Sequence, residues 1–272
     1  MASNHEVRSP PLWLWPNLLS LDAPAIAVIW QGFLAYRFSL PLRPASQGAL
    51  GLTVWAIYLA DRLLDARKPA SADEPARHRF YRRHRTSMTG LLAAVCAADG
   101  MIAMFGLRPA VLRDGLVPLA GVGIYLGLVH LSGQIPRIPK EVAASILFTA
   151  GTFLAAWIRL PCPGLAWAAV AFFVLCLANM IAIEAWEWRE GSSGGPAPHP
   201  CTRWLAKTYL WWVPMAVFLC AIAGRNPWYL SIALSASACA ALFGIGRRLP
   251  IEARRALVDG ALLSPLLFLI IR

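Results

Sequence analysis

Long runs without a charged side chain constrain this 272-residue chain more than any other feature. Residues 44–60 and 160–183 contain no Asp, Glu, Lys or Arg, and several other windows are nearly as apolar. Each run approaches the roughly 20 residues that one membrane-crossing helix needs. Only 14% of all residues are charged and 58% are hydrophobic, whereas a soluble domain carries about 25% charged residues. We therefore expect a membrane protein.

The apolar windows predict a single all-α domain, a polytopic membrane bundle of about nine transmembrane helices. The runs lack the alternation of barrel strands, and the Gly and Pro residues within them are tolerated in membrane helices. A polar and then aromatic interfacial segment, 1–17, precedes the bundle, which we expect to occupy 18–272. The predicted spans are residues 18–37, 45–65, 87–107, 115–132, 141–159, 164–186, 205–223, 227–246 and 257–271.

The distribution of basic residues predicts the orientation of these spans. With the N-terminus in the cytoplasm, 18 of the 25 Lys and Arg residues fall on the cytoplasmic side, as the positive-inside rule requires. The formal charge of +11 then reflects topology and attraction to anionic lipid or substrate, and we expect no nucleic-acid partner. We expect an integral protein of a bacterial inner membrane without a cleaved signal peptide.

The six cysteines predict neither a disulfide framework nor a metal site. Four fall inside predicted spans, whereas Cys162 and Cys201 fall on opposite sides of the membrane in the predicted topology. We therefore interpret the cysteines as small apolar residues.

Two aspartates stand at the end of the second predicted span, in the stretch IYLADRLLD. Asp61 and Asp65 are four residues apart, a spacing that places both carboxylates on one face of a helix. The chain is strongly basic immediately downstream, at residues 66–86. This segment is either a topogenic cluster on the lipid headgroups or a cationic lid over an anionic substrate.

A second acidic cluster ends the sixth predicted span, in the stretch IEAWEWREG. Glu184 and Glu187 are three residues apart and share a helix face, and Glu190 joins them if the helix continues that far. The second and sixth spans are four crossings apart, so they cross the membrane in the same direction. Both acidic ends are therefore expected at one membrane face, the cytoplasmic face in the predicted orientation.

Four basic residues are the predicted contacts for an anionic group at that face. Lys140 begins the fifth predicted span, where its charge adds to the positive end of the helix dipole unless an anion receives both. The alternative is a lysine that merely extends to the interface. Arg62, Arg77 and Arg137 complete the predicted set.

Three further polar residues have two interpretations each. We interpret Asp22 as a cap at the start of the first helix rather than as a site residue. Asp99, an acid inside the third span, is a candidate because of its burial, but a hydrogen bond between packed helices is the interpretation we favour. His130 either faces the same cavity as the acids or anchors its helix at the interface.

Two acidic patches at one membrane face, ringed by arginines, indicate a site where Mg²⁺ bridges carboxylates to a diphosphate. Magnesium prefers oxygen ligands in an octahedral arrangement, and metal with Arg or Lys stabilises the charge that develops on a departing diphosphate. An apolar interior would shield the allylic carbocation. The predicted catalytic and metal-binding acids are Asp61, Asp65, Glu184 and Glu187, with Glu190 as a further metal ligand.

This layout resembles the UbiA family of intramembrane aromatic prenyltransferases over most of the chain, roughly residues 18–271. That family has nine helices, a cytoplasmic-side cavity and two aspartate-rich motifs after helices two and six that hold diphosphate through Mg²⁺. Asp61 and Asp65 match the last two acids of the first motif, Asn-Asp-x-x-Asp-x-x-x-Asp, whereas Ile57 and Tyr58 occupy its first two positions.

The second family motif, Asp-x-x-x-Asp, has a looser counterpart in the cluster of Glu184, Glu187 and Glu190. Lys140 resembles the basic residue at the start of the family's fifth helix. The resemblance implies a prenyltransferase that uses Mg²⁺ to move an isoprenyl chain from a polyprenyl diphosphate to an unidentified acceptor.

Two alternatives remain open at this point. The incomplete motif also fits a catalytically silent protein of the same fold that binds an isoprenoid or assists a membrane complex. Acids at the ends of spans also fit a small transporter that handles protons or cations.

Overall fold

The structure, a computed structural model, describes residues 11–67, 76–131, 139–190, 197–223 and 226–270. Within these ranges every regular element is helical, which confirms the all-α prediction. The α-helices, in chain order, are α1 (Trp15–Leu18), α2 (Asp22–Arg37), α3 (Pro44–Asp65), α4 (Ala76–Arg83), α5 (Arg85–Gly106), α6 (Pro109–Leu131), α7 (Lys140–Trp157), α8 (Pro163–Arg189), α9 (Pro200–Lys207), α10 (Tyr209–Ile222), α11 (Pro227–Ile245), α12 (Ile251–Ala261) and α13 (Pro265–Ile270).

Four of these helices, α5, α6, α8 and α11, are long and apolar enough to cross a membrane. The number rises to six if each of two bent pairs of helices is counted as one span. In these pairs Leu12–Leu18 meets α2 at 80°, and α9 meets α10 at 71°. The prediction of nine spans is therefore not confirmed, although helices occupy all nine predicted segments. α3 and α7 are not apolar enough over 18 residues to be counted, and the last predicted span is divided between α12 and α13.

The second half of the bundle is built around α8, which packs against α7, α10, α11 and α12. Its 27 residues give a helix about 40 Å long at 1.5 Å per residue. This length exceeds the roughly 30 Å of a hydrocarbon core, so the charged C-terminal turns of α8 can lie at the interface while the rest remains in the apolar layer.

An aromatic core joins the N-terminal, middle and C-terminal parts of the chain. The Trp30 ring of α2 lies 4.9 Å from Phe172 of α8 and 5.1 Å from Trp228 of α11, measured between centroids, and all three side chains are fully buried. Trp30 also donates its indole N–H to the carbonyl oxygen of Leu262 at 2.8 Å. Trp228 likewise donates its indole N–H to the carbonyl oxygen of Ala168, at 3.3 Å, while both rings supply apolar contact area.

The first half of the bundle places α4 beside the C-terminal end of α3. The hydroxyls of Tyr81 in α4 and Ser20 in the turn between α1 and α2 form a hydrogen bond of 3.0 Å. Trp55 of α3 donates to the carbonyl oxygen of Leu19 in the same turn at 2.8 Å. These contacts fix the short α4 next to the acidic end of α3.

The outer helices α5 and α6 bury little of their apolar surface against the protein. In the 18-residue apolar segment of each helix, only 11% of the residues of α5 and 6% of those of α6 are buried. Large side chains such as Phe105 and Val117 are exposed along these helices. Apolar faces of this extent suit contact with lipid tails.

Candidate functional site

The C-terminal turn of α3 brings its two aspartates to one histidine of α6. Asp61 Oδ1 lies 2.9 Å from Nε2 of His130, and Asp65 Oδ1 lies 3.9 Å from Nδ1 of the same ring. The spacing of four residues places both carboxylates on one helix face. The His130 side chain is only 5% exposed, and it lines the same cavity as the two acids, which favours the first interpretation of this residue.

The C-terminal turns of α8 carry Glu184 and Glu187, and each is paired with a cation from another helix. Lys140 Nζ lies 2.7 Å from Glu184 Oε2, and Arg77 Nη2 lies 3.0 Å from Glu187 Oε1. Arg255 of α12 forms a second ion pair with Glu187. Both glutamates are buried, and a buried carboxylate needs such partners to compensate for its lost hydration.

A cavity of about 820 Å³ joins the two acidic helix ends. Asp61 and Asp65 line it from α3, and Glu184 and Glu187 line it from α8. The structure thus brings the acids of both predicted patches to one space. The predicted basic residues that line the same cavity are Arg62, Arg77 and Lys140.

Two residues of the predicted site do not join this group. Glu190 follows the last residue of α8, forms an ion pair with Arg254, and does not line the cavity within the described part of the chain. Arg137 lies outside the described residues.

Burial alters the ionisation of two residues on α4. Burial, together with the positive charge of Arg62, lowers the pKa of Arg77 to about 10 despite the ion pair with Glu187. Burial and the neighbouring charge of Arg77 lower the pKa of His78 to about 4, although Asp65 Oδ2 lies 3.9 Å from His78 Nε2. At neutral pH, Arg77 is therefore charged and His78 is neutral.

Inward from the charged mouth, the cavity is mainly apolar and follows α3. Its lining on that helix extends from Asp65 to Ser46, a distance of about 28 Å at 1.5 Å per residue. This is close to the roughly 30 Å thickness of a hydrocarbon core. Apolar lining residues on α6 and α7 include Leu116, Val122, Leu126, Leu147 and Leu154.

One acid interrupts this apolar wall. Thr53 Oγ1 of α3 donates to Asp99 Oδ2 of α5 at 2.6 Å, which is the hydrogen bond between packed helices that we expected for Asp99. The Asp99 side chain also lines the cavity.

Sequence reasoning does not identify several polar residues that the structure places at the cavity. Arg255 is 1% exposed, yet its position in the basic run of the short α12 gives no sign of burial. The apolar segment that follows α12 is the one available signal, because it indicates that this helix approaches the bundle. The other polar lining residues of this kind are Asn17, His78, Asn179 and Asp259.

The carboxylates at the mouth do not form a preformed metal site. Across the described ranges, no group of three or more His, Cys, Asp or Glu side chains is placed to hold a metal ion. Asp61 faces His130, while Glu184 and Glu187 face basic side chains. Mg²⁺ needs several oxygen ligands around one point, and the present arrangement of these acids does not fit that requirement.

No protein-family model, curated protein or solved structure matches the chain. Over the described residues, the fold defines a general class, an all-helical protein with four to six helices that are long and apolar enough to cross a membrane. The resemblance to the UbiA family is carried by the motif and the order of the spans, and it stays a prediction.

Proposed function

We propose that this chain is a membrane-embedded prenyltransferase that moves an isoprenyl chain from a polyprenyl diphosphate to an acceptor. The shape and lining of the cavity support the proposal, because a charged mouth leads to an apolar interior about as long as a hydrocarbon core is thick. A ligand with an anionic head and a long apolar tail is complementary to both parts. A polyprenyl diphosphate has this form.

The basic residues at the mouth support the diphosphate part of the proposal. Lys140, Arg77 and Arg255 meet at the C-terminal end of α8. The two arginines are buried, and limited access of water strengthens their attraction for an anion, whereas Lys140 is 45% exposed. Cations directed at a departing diphosphate stabilise the negative charge that develops as its bond to carbon breaks. Glu184 and Glu187 hold these cations in position before a ligand binds.

The apolar wall supports the isoprenyl part of the proposal. Side chains of α6 and α7 surround the space inward from the mouth, where the tail would lie. Exclusion of water from the carbon that loses the diphosphate favours its reaction with the acceptor over hydrolysis.

The Mg²⁺ requirement stays a prediction of the family resemblance. Oδ1 of Asp61 faces His130, and Oε1 of Glu187 faces Arg77 and Arg255, so a metal would have to bind the second oxygen of each carboxylate or displace these partners. Removal of divalent ions therefore forms part of the experiment.

Turnover by the purified 272-residue chain in lipid nanodiscs, with geranylgeranyl diphosphate as the probe, tests the proposal. We expect release of inorganic diphosphate with Mg²⁺ and its loss after addition of EDTA. Asp65→Asn should lower the release by about 100-fold or more, because it removes a carboxylate predicted to hold Mg²⁺ against the diphosphate. Asp114→Asn, which changes an exposed acid paired with Arg113, should leave the rate unchanged. Absence of both binding and release for polyprenyl diphosphates of every chain length contradicts the proposal.

A catalytically silent isoprenoid-binding protein is the second candidate. The pairing of Glu184 and Glu187 with cations favours it, as does the presence of Ile57 and Tyr58 at the first two motif positions. Tight binding of geranylgeranyl diphosphate that EDTA leaves unchanged, without release of diphosphate, would identify this function.

A further inference from the structure

A second polar cluster lies in the cavity, next to the first. Tyr58 of α3, three residues before Asp61, interacts electrostatically with the carboxyl groups of Asp22 and Asp259. Helices from the beginning, middle and end of the chain meet here. The lining residues of this cluster, besides Tyr58, are Asn17 of α1, Asp22 of α2, Asn179 of α8 and Asp259 of α12.

Hydrogen bonds from three N–H groups hold the carboxyl groups of Asp22 and Asp259 in place. Both oxygens of Asp22 accept N–H groups, Oδ2 from Nδ2 of Asn17 at 2.9 Å and Oδ1 from the backbone of Ala23 at 3.0 Å. Oδ1 of Asp259 accepts Nδ2 of Asn179 at 3.1 Å, and the Asp259 carboxyl group interacts electrostatically with Asp22.

Asn17 supplies an unused hydrogen-bond acceptor beside the Asp22 carboxylate. Its side chain is 7% exposed and lines the cavity, and its Oδ1 is buried without a hydrogen-bond partner among the residues that the structure describes. A buried carbonyl without a donor is unfavourable, so this place is complementary to a ligand group that donates a hydrogen bond. A carboxylate would be repelled by the charge of Asp22.

The cluster adjoins the predicted diphosphate site. Arg62 of α3 interacts with Asp61 and Asp65 at the mouth and with Asp22 in the cluster. A group held by Asn17 and Asp22 would therefore lie near the head of a bound diphosphate ligand, inside the same cavity.

We propose that Asn17, Asp22 and Asp259 form the subsite for the prenyl acceptor, and that the acceptor presents a neutral hydroxyl or amine there. This inference rests on the proposed function. In the transfer, the bond between C1 of the isoprenyl chain and the diphosphate oxygen breaks, and its electron pair leaves with the diphosphate. The acceptor oxygen or nitrogen forms a new bond to C1, and its proton passes to the Asp22 carboxylate. Water at the mouth then takes this proton.

Equilibrium dialysis of phenol and benzoate against the whole chain in lipid nanodiscs tests the subsite. We expect saturable binding of phenol and binding of benzoate that is at least about tenfold weaker, because its charge is repelled. Asn17→Leu should weaken phenol binding at least about fivefold, since it removes the unused acceptor. Asp114→Asn, on the exposed surface of α6, is the control and should bind phenol as the unaltered chain does.

Transfer of the geranylgeranyl group to phenol or aniline tests the proton acceptor. Asp22→Asn should lower transfer by about 100-fold or more, the usual range for loss of a general base, and leave the affinity for geranylgeranyl diphosphate unchanged. Asp22 is the first residue of α2 and not the cap expected for it, because Leu21 is the N-cap residue. Asn keeps an oxygen that can accept the N–H of Asn17, so this variant should retain the fold of α2.

The failure of this inference and the failure of the proposed function give different results. Equal phenol binding by Asn17→Leu and the unaltered chain, or benzoate binding as tight as phenol binding, overturns the subsite even when geranylgeranyl diphosphate binds and releases diphosphate. Absence of saturable phenol binding, absence of transfer to both probes, or undiminished transfer by Asp22→Asn overturns it as well. If the unaltered chain does not bind geranylgeranyl diphosphate, the proposed function itself is wrong.

Discussion

Glu187 is shared by two buried arginines at the mouth of the cavity. Arg77 approaches it from α4 and Arg255 from α12, and the exposed fractions of these side chains are 10% and 1%. Burial removes much of the hydration of three charges at once, and their mutual attraction compensates for most of that loss, with a longer contact of 3.6 Å between Arg255 and Glu252. Removal of the one anion would leave two cations with too little compensation.

Replacement of Glu187 therefore tests the energetic importance of the mouth. We expect Glu187→Gln to lower the free energy of unfolding by about 3–5 kcal/mol, the usual cost of removing one partner from a buried ion pair. Denaturant titration in detergent measures it. Asp114→Asn breaks the pair between Asp114 and Arg113, whose side chains are 38% and 78% exposed, and should change the free energy of unfolding far less than Glu187→Gln does. Equal decreases in the free energy of unfolding for the two variants would show that the ion pairs of Glu187 do not stabilise the folded chain more than an exposed pair does.

The depressed pKa of His78 predicts a loss of stability on acidification. Its pKa is about 4 in the folded chain, below the ordinary value of 6.5, so between these values the unfolded chain binds more protons than the folded chain. The free energy of unfolding should therefore fall as the pH falls through this window. Thermal unfolding midpoints from about pH 7 to about pH 5 should decline less steeply for His78→Gln than for the unaltered chain. Parallel declines would mean that His78 titrates normally.

At the scale of single elements, α4 is the helix whose position matters most to the mouth. It supplies Arg77 and His78, and the hydrogen bond between Tyr81 and Ser20 joins it to the turn between α1 and α2. A short helix of eight residues has little stability of its own, so such tertiary contacts determine where it lies.

Tyr81→Phe should loosen α4 selectively. The substitution removes one buried hydrogen bond, worth about 1 kcal/mol, and should speed amide hydrogen exchange in α4 while leaving α8 protected. The matched control is Tyr209→Phe, which removes the hydrogen bond from Tyr209 to the carbonyl oxygen of Ala178 at 3.0 Å. If both variants speed exchange in α4 equally, the Tyr81 hydroxyl does not position this helix.

The extent of α3 shows what the sequence can predict about an element. The predicted span 45–65 and the observed helix Pro44–Asp65 agree, because a proline suits the first turn of a helix and the charged residues mark its end. The bend before α2 is different. Apolar residues continue through Leu19 and Leu21, while Ser20 adopts a φ of 54°, so hydropathy alone gives no sign of the turn.

The residues of the candidate site also divide into those that local sequence predicts and those that depend on tertiary packing. The shared face of Asp61 and Asp65 is a local property of helix spacing and can be predicted from sequence. The approach of His130 and Arg255 depends on how α6 and α12 pack, which no local pattern records. The acids, Lys140 and Arg77 could therefore be predicted, whereas the pairing of each acid with its partner and the approach of Arg255 could not.

At the scale of the whole molecule, α8 separates two cysteines that report orientation. Cys162 directly precedes the helix, and Cys201 lies in α9 after its end. Cys201 is exposed and Cys162 is partly exposed, so both are suitable for labelling.

Labelling of intact cells with a membrane-impermeant maleimide tests the predicted orientation. Variants that retain only Cys162 or only Cys201 should differ, with Cys162 labelled from outside and Cys201 labelled only after the membrane is permeabilised. This result follows from the excess of basic residues on the cytoplasmic side. The reverse pattern would invert the topology, and equal labelling from outside would mean that α8 does not cross the membrane.

The internal pairing of charges at the mouth has a consequence for any anion that enters. Lys140 and Arg77 already hold Glu184 and Glu187 as counterions, so a phosphate group that approaches these two cations competes with a carboxylate for each of them. The displaced carboxylate must then find a new partner or a proton. The empty protein thus competes with its own ligand, and occupancy depends on the difference between two sets of ion pairs rather than on the strength of either set.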